Sequence, residues 1–357
     1  MKLVFIGVSH WHTSFYLEPA LEMKGTAVVG VSDPNPRVAK DYAERLNCQW
    51  STDYRDLCNR VKPDFVFALG RHCDMPEEAR FLIEARIPFA MEKPCGLNSQ
   101  EVSALANEAK AKGAFAAIPF VMRQGRLLAE VRRRAQGEDI QYLSFRFIAG
   151  PVSRYRQAGC DWMLEPAQSG GGCTINLAVH FFDLFRVFMG KRPIRVTTAV
   201  MANAAWGLAI EDYSLVVLQS GAKTCLVETG YIYPAPVAVF DMRFSIRTDR
   251  HYFVATGPDA LEVSDEQGRR ETLNLPTTNV PHYRDFVFDI LDRVREGRPP
   301  LADMADMAEV MNLVDVTLAV IRDIRLPDVI ASLVKAKSDR IFLIPVKQQM
   351  LLLSVPH

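Results

Sequence analysis

The chain has 357 residues, 49% of them hydrophobic, a length that calls for about two domains, each able to bury its own core, with a cleft between them. Lys+Arg and Asp+Glu both number 42, so no net field draws the protein to nucleic acid or to an anionic membrane, and a small molecule is the expected partner. The seven cysteines are odd in number, scattered and without a CxxC pair, which excludes a disulfide framework and a zinc knuckle and points to a reducing, cytoplasmic setting.

Lys2-Leu3-Val4-Phe5-Ile6 is an apolar run stopped by Gly7, as expected of a strand buried on both faces and unlike a signal peptide. A helix over Thr13 to Met23 follows, with Thr13 or Ser14 near its cap, then a strand from Thr26 to Ser32 closing at Asp33. The spacing continues with a helix over Pro36–Leu46, a short helix over Asp53–Val61, a strand over Asp64–Leu69 and a helix over Met75–Arg86. The strand Pro88–Glu92, the helix Ser99–Lys112 with Ser99 as cap, and the strand Ala114–Pro119 complete the series. This alternation predicts right-handed βαβ units and a doubly wound parallel sheet, a Rossmann-type α/β unit over residues 1–121.

Past residue 121 the rhythm changes. A basic helix (Gly125–Ala135) and a strand (Gln141–Ile148) lead through a loop to a helix from Thr174 to Met189. Runs rich in β-formers follow at 195–202, 213–219, 223–231, 242–247, 251–255 and 260–263, and helices at His282–Glu296 and Asp303–Arg325 end the pattern. Residues 122–357 are therefore expected to form an α+β domain with a large, mostly antiparallel open sheet. The apolar run Ile341–Val355, broken by Pro345 and Lys347, reads as an edge strand or docking segment, and no stretch approaches the roughly 20 uncharged apolar residues of a membrane helix.

Gly7-Val8-Ser9-His10-Trp11-His12 occupies the place of a phosphate-binding loop between the first strand and first helix. Only its first glycine is present; Ser9 and His12 stand where the second and third belong. Gly7, Ser9, His10, Trp11 and His12 are candidate cofactor contacts, with the following helix N-terminus offering N–H groups to a pyrophosphate. His10 and His12 lie two apart without a neighbouring acidic or thiol ligand, so ring packing is expected and no metal. Asp33, 26 residues after Gly7, is placed to accept from ribose hydroxyls and to repel a 2′-phosphate, favouring NAD over NADP. Nearby Arg37 leaves NADP open, and a bare turn before Pro34 is the competing reading of Asp33.

Two further stretches carry chemistry. Glu92-Lys93-Pro94 ends a buried strand at the sheet edge where α/β proteins bind ligands, although the same residues could merely solvate a strand end. Gly170-Gly171-Gly172 opens a helix on which Asn176, His180 and Asp183 recur at spacings of four and three, placing an amide, an imidazole and a carboxylate on one face. A near-neutral imidazole suits proton removal from a hydroxyl as hydride leaves its carbon; the alternative is a core histidine bonded to Asp183.

Taken together, the degenerate glycine loop, Asp33, Glu92-Lys93-Pro94 and the triple-glycine helix resemble the glucose-fructose oxidoreductase, inositol dehydrogenase and rhizopine-catabolism (Gfo/Idh/MocA) family over nearly the whole chain. The resemblance implies a Rossmann domain, an α/β domain whose open sheet serves homo-oligomerisation as a dimer or tetramer, and sugar or polyol substrates oxidised at a secondary hydroxyl, or the reverse. It implies that Lys93 contacts the substrate hydroxyl and the cofactor ribose with Glu92 beside it, that His180 is the acid or base, and that Lys93–Pro94 is cis. The family's commoner pattern has an aspartate where this chain has Asn176, so His180 works without that charge, or Asp183 supplies it, or the protein has moved toward nicotinamide sensing. An internal NAD shuttle for glycoside cleavage or epimerisation is a third reading. Arg154, Arg156 and Trp162, in the loop before the glycines, suit a polyhydroxylated ring, one bearing a carboxylate among them, or else form a solvated basic loop.

Overall fold

The opening runs build a six-stranded parallel sheet: β1 (Lys2–Ile6), α1 (Thr13–Glu22), β2 (Ala27–Ser32), α2 (Pro36–Leu46), β3 (Gln49–Ser51), α3 (Tyr54–Val61), β4 (Phe65–Ala68), α4 (Met75–Glu84), β5 (Phe89–Met91), α5 (Ser99–Lys112) and β6 (Ala116–Ala117). The structure is a computed structural model that describes residues 1–234 and 240–323, with side chains through residue 320. Strand order is β3-β2-β1-β4-β5-β6, so the chain reverses direction between β1 and β4 and leaves a crevice at their carboxyl ends. Helices cover both faces, which is why β1 past Lys2 and all of β4 are apolar without alternation and fully buried.

Local chemistry differs from expectation at three points. Helix α1 is capped by neither Thr13 nor Ser14: His12 holds the cap position and the Thr13 hydroxyl donates to Val8 O at 3.1 Å. Asn98, not Ser99, caps α5, its side chain accepting from Glu101 N at 3.0 Å while Glu101 accepts from Leu97 N at 2.9 Å. Strand β3 went unforeseen because three residues are too few to show a period.

A 3-10 turn (Val121–Gln124) leads out of this sheet into α6 (Arg126–Arg134), β7 (Ile140–Ile148), α7 (Ser153–Gln157), α8 (Pro166–Ser169), α9 (Val179–Met189), β8 (Arg195–Ala202), β9 (Tyr213–Ser220), β10 (Lys223–Gly230), β11 (Asp241–Thr248), β12 (His251–Gly257), β13 (Ala260–Asp265), β14 (Arg270–Asn274), α10 (His282–Glu296) and α11 (Met304–Asp323). The second sheet has eight strands in the order β14-β13-β12-β11-β7-β10-β9-β8. Its pairings are antiparallel except β7 with β10. Along β9 and β10 buried residues alternate with half-buried ones, and the buried face lies under α9 and α11. Strand β14, mostly exposed and polar, escaped notice because it lacks the apolar alternation of its neighbours.

The loop expected before Gly172 contains α7 and α8, and the helix after the glycines begins with one π-helical turn, Thr174–Ala178. The helical run Pro166–Met189 passes a length-and-composition test for a membrane helix, but it carries Asp183 and Arg186 and 83% of its most apolar 18-residue window is buried inside the protein, the signature of a core helix. The expected division at residue 121 is bridged by the last helices. Tyr283, Val287 and Ile290 of α10 share one apolar cluster with Leu3 and Phe5 of β1, α11 packs on α5, and Ile118 N donates to Ala302 O at 3.0 Å. The apolar run 341–355 lies outside the described residues.

Candidate active site

Gly7 makes the crevice possible. Its φ is +73°, and a Cβ there would lie 2.7 Å from the Leu69 carbonyl carbon, so only glycine lets the ends of β1 and β4 approach so closely. Beside this turn opens a cavity of about 500 Å³ whose lining includes Gly7, Ser9, His10, Asp33, Gly70 and Trp162. Buried Asp33 accepts from Ser9 N at 2.7 Å and from Asn35 N at 2.9 Å, which anchors the loop and fixes the carboxylate in the cavity wall. Cavity, glycine turn and strand-end carboxylate together fit the adenosine and pyrophosphate half of a dinucleotide. Of the expected cofactor contacts, Gly7, Ser9, His10 and Asp33 line this cavity. Arg37 is exposed on the first turn of α2 and is not in the lining.

Trp11 and His12 turn the other way, into the seam between the two sheets. Glu92 and Lys93, read as either a solvated strand end or a cleft edge, are 1% and 3% exposed and lie in that seam. The Glu92 carboxylate takes the Nδ1–H of His12, the hydroxyl of Tyr16 at 2.9 Å and the N–H of Lys93 at 2.7 Å. Burial pushes that carboxyl up, but the His12 ring and the Lys93 ammonium outweigh it and hold Glu92 well below the usual carboxylate range. Lys93 Nζ donates to Asn176 at Oδ1 (2.6 Å) and at the backbone oxygen (2.9 Å), leaving its third N–H for a ligand. Burial lowers the pKa of Lys93, opposed by Glu92 and assisted by Arg154. The Lys93–Pro94 bond is cis.

Asn176 bonds this lysine directly, and His180, one turn further on, lies close enough to feel its charge. Asn176 Nδ2 donates to the hydroxyls of Tyr155 (2.8 Å) and Tyr231 (2.9 Å). His180 is 5% exposed and its Nδ1 has no partner. Burial, then the Lys93 charge, lowers its pKa to about 3, not the near-neutral value expected from the sequence, so the ring is unprotonated at physiological pH but a weaker base than an ordinary imidazole. Asp183 does not join them. One turn further and about 60° round the helix, its carboxylate accepts from Arg123 Nε at 2.8 Å and Nη2 at 2.5 Å, with Asp306 closing the same clamp. It therefore neither pairs with His180 nor supplies the charge that Asn176 lacks.

In the loop, Arg154 reaches the seam, Trp162 packs at 5.8 Å from the His10 ring on the cofactor cavity, and Arg156 stays on the surface 3.8 Å from Asp161. Sequence reasoning overlooked Tyr16 and Tyr231, and noted Tyr155 only as part of the loop that carries Arg154 and Arg156. Tyr231 sits just after β10, the kind of strand-end position that made Lys93 noticeable. Glu78 carried no such signal, because an acid in the first turn of α4 reads as complementing the helix dipole.

Glu78 lines the cofactor cavity, and burial, then Asp74, raises its pKa to about 8. Below the ordinary carboxyl range both folded and unfolded chains hold the proton. As pH rises from about 5 to 8 the unfolded chain ionises first, so folding loses up to about 1.4 kcal/mol per pH unit from this group alone. Glu78→Gln is expected to flatten the fall in stability over that window, seen as urea midpoints converging less steeply with pH than in the wild type. An unchanged slope would show the group ionises freely when folded.

Residues 1–120 match the family described as an oxidoreductase family with an NAD-binding Rossmann fold, and residues 144–253 match the Gfo/Idh/MocA C-terminal domain. No curated protein matches the chain. Among solved structures, levoglucosan dehydrogenase in complex with NADH and levoglucosan is 16% identical, with TM-score 0.78 and coverage of 90% of this chain and 97% of that one. An oxidoreductase from Agrobacterium radiobacter in complex with NAD+, L-tartaric acid and magnesium is 15% identical, with TM-score 0.78 and coverage of 90% and 96%. UDP-N-acetylglucosamine 3-dehydrogenase from Acidithiobacillus ferrooxidans is 20% identical, with TM-score 0.74 and coverage of 90% and 97%. At these identities the likeness is one of fold.

Proposed function

The chain belongs to the Gfo/Idh/MocA oxidoreductase family, with its NAD-binding Rossmann fold, and from that premise we propose that it oxidises a secondary hydroxyl of a sugar, inositol or related polyol to a ketone, or runs the reverse. The observation that supports this most is the meeting of Lys93, just past the end of β5, and His180 of α9 in one buried seam beside the dinucleotide cavity.

Bound NAD supplies the hydride acceptor. The protein's part is to hold and move the proton. The neutral His180 ring takes it from the substrate hydroxyl, while the remaining N–H of Lys93 donates to the same oxygen and stabilises the charge that develops there. Asn176 aims that ammonium by accepting two of its N–H bonds. Glu92 opposes the effect of burial on the lysine and so favours its charged form, and is itself fixed by His12 and Tyr16. The aromatic rings of Trp11, Tyr155 and Tyr231 pack edge to face around the seam. Assaying NADH formation at 340 nm on a panel of sugars, inositols and aldonates tests the reading; NADH binding without turnover of any of them would refute it and favour a sensor.

Cofactor choice follows from Asp33. Its carboxylate would hold ribose hydroxyls and repel a 2′-phosphate, so Asp33→Ser is expected to weaken NAD by about tenfold and to narrow the NAD over NADP preference, measured by NADH and NADPH fluorescence titration. Unchanged selectivity would remove Asp33 from cofactor recognition. The outer face of the eight-stranded sheet, carrying Tyr252 at 39% and Val200 at 49% exposure, supports pairing between copies of the chain as a dimer or tetramer.

A further inference from the structure

The polar groups around Lys93 are nearly all donors. Asn176 spends its oxygen on the lysine and turns its amide nitrogen toward both tyrosine hydroxyls. Tyr155 Oη accepts a second bond, from Arg154 Nη2 at 2.7 Å, so its own proton is left to give away. Arg154 lies 5.4, 4.7 and 5.7 Å from the ring centres of Trp11, Tyr155 and Tyr231. Its Nε is buried with no acceptor. Its neighbours treat their arginines differently: Arg156 lies near Asp161 and Arg123 is clamped by Asp183.

The charges do not balance. Glu92 offsets Lys93, and burial lowers the pKa of each of the four buried histidines of the region, His10, His12, His72 and His180, which works against further positive charge on them. The guanidinium of Arg154 is left over, close enough to Lys93 to act against its charge. Asn176, an amide, brings no charge to offset it. Arg154 is half-buried, but its Nε is shut off from solvent, and a buried donor without an acceptor is costly unless a ligand supplies one.

Resting on the reading given under Proposed function, we propose that the substrate is a polyhydroxylated monocarboxylate, such as a uronate or aldonate, whose carboxylate pairs with Arg154 while its reacting hydroxyl lies between Lys93 and His180. One surplus positive charge matches one carboxylate, whose planar oxygens suit a guanidinium fork. A phosphate dianion would overshoot it.

The test compares NAD reduction on matched pairs (glucose with glucuronate, galactose with galacturonate, xylitol with xylonate) and on glucose 6-phosphate, in wild type and Arg154→Gln. The expected result is an acid-over-neutral ratio in kcat/KM of at least about tenfold, collapsing toward one in the variant. Neutral sugars turned over as well as their acids, or the phosphate preferred over every carboxylate, would overturn it, as would a ratio that survives Arg154→Gln. If no sugar of either kind is turned over, the oxidoreductase reading fails, and the carboxylate site is judged on binding alone. Calorimetry of glucuronate and glucose against the NADH complex then supports it if glucuronate binds in an Arg154-dependent way and overturns it if neither binds. Should Arg154→Gln melt early, Arg154→Lys, which keeps the charge and loses the fork, is expected to retain part of the ratio.

Discussion

Lys93→Met is expected to lower kcat/KM by about a thousandfold while leaving NADH affinity within a factor of about three. The side chain is long and apolar enough to fill the same space, so the change removes the donor without opening a void. What is lost is a donor that Asn176 aims from two sides at 2.6 and 2.9 Å and whose charged form Glu92 favours against burial. The cavity lined by Gly7, Ser9 and Asp33 is built from other elements and survives. Because burial lowers the lysine pKa, the alkaline limb of the wild-type kcat/KM profile should fall below the range of an ordinary lysine. Equal loss of NADH affinity and turnover would instead make Lys93 a scaffold residue.

His180→Asn is expected to cost between about a hundredfold and ten-thousandfold in kcat, with a smaller change in KM, since it removes the proton acceptor but keeps a polar group of similar size. The lowered pKa sets the sign of the pH effect. A ring whose basic form persists down to about 3 stays unprotonated across the neutral range, though as a weaker base than an ordinary imidazole, so kcat/KM should show no loss from His180 protonation between pH 5 and 7. With Asp183 tied to Arg123, nothing else on the helix can take the proton in its place. A variant with unchanged kcat would move the base elsewhere, with Lys93 itself, its pKa lowered by burial, the next group in line.

Much of this site was legible in the chain because its residues sit at places the fold makes special. Asp33 and Lys93 end parallel strands, and a strand end beside a turn is where a doubly wound sheet meets its ligand. The helix after the triple glycine was equally visible, but its use was not. Asn176, His180 and Asp183 were read on one face from a 3.6-residue period, whereas a π-helical turn opens that helix and Asp183 faces a different neighbour, Arg123. No periodicity reveals a partner from 60 residues away. The roles of Tyr155 and Tyr231 were hidden for the same reason, being set by which hydroxyls converge on one amide and not by local pattern. His12 shows the opposite case: its place in a degenerate glycine loop pointed to the phosphates, while the fold turns it to Glu92 on another strand.

The most direct test is a crystal of the protein grown with NAD and soaked with its best substrate. The structure predicts a substrate hydroxyl within hydrogen-bonding distance of both Lys93 Nζ and a His180 ring nitrogen, with the nicotinamide ring against the same carbon. Substrate density elsewhere in the seam, with Lys93 still held only by Asn176 and His180 unpartnered, would contradict it.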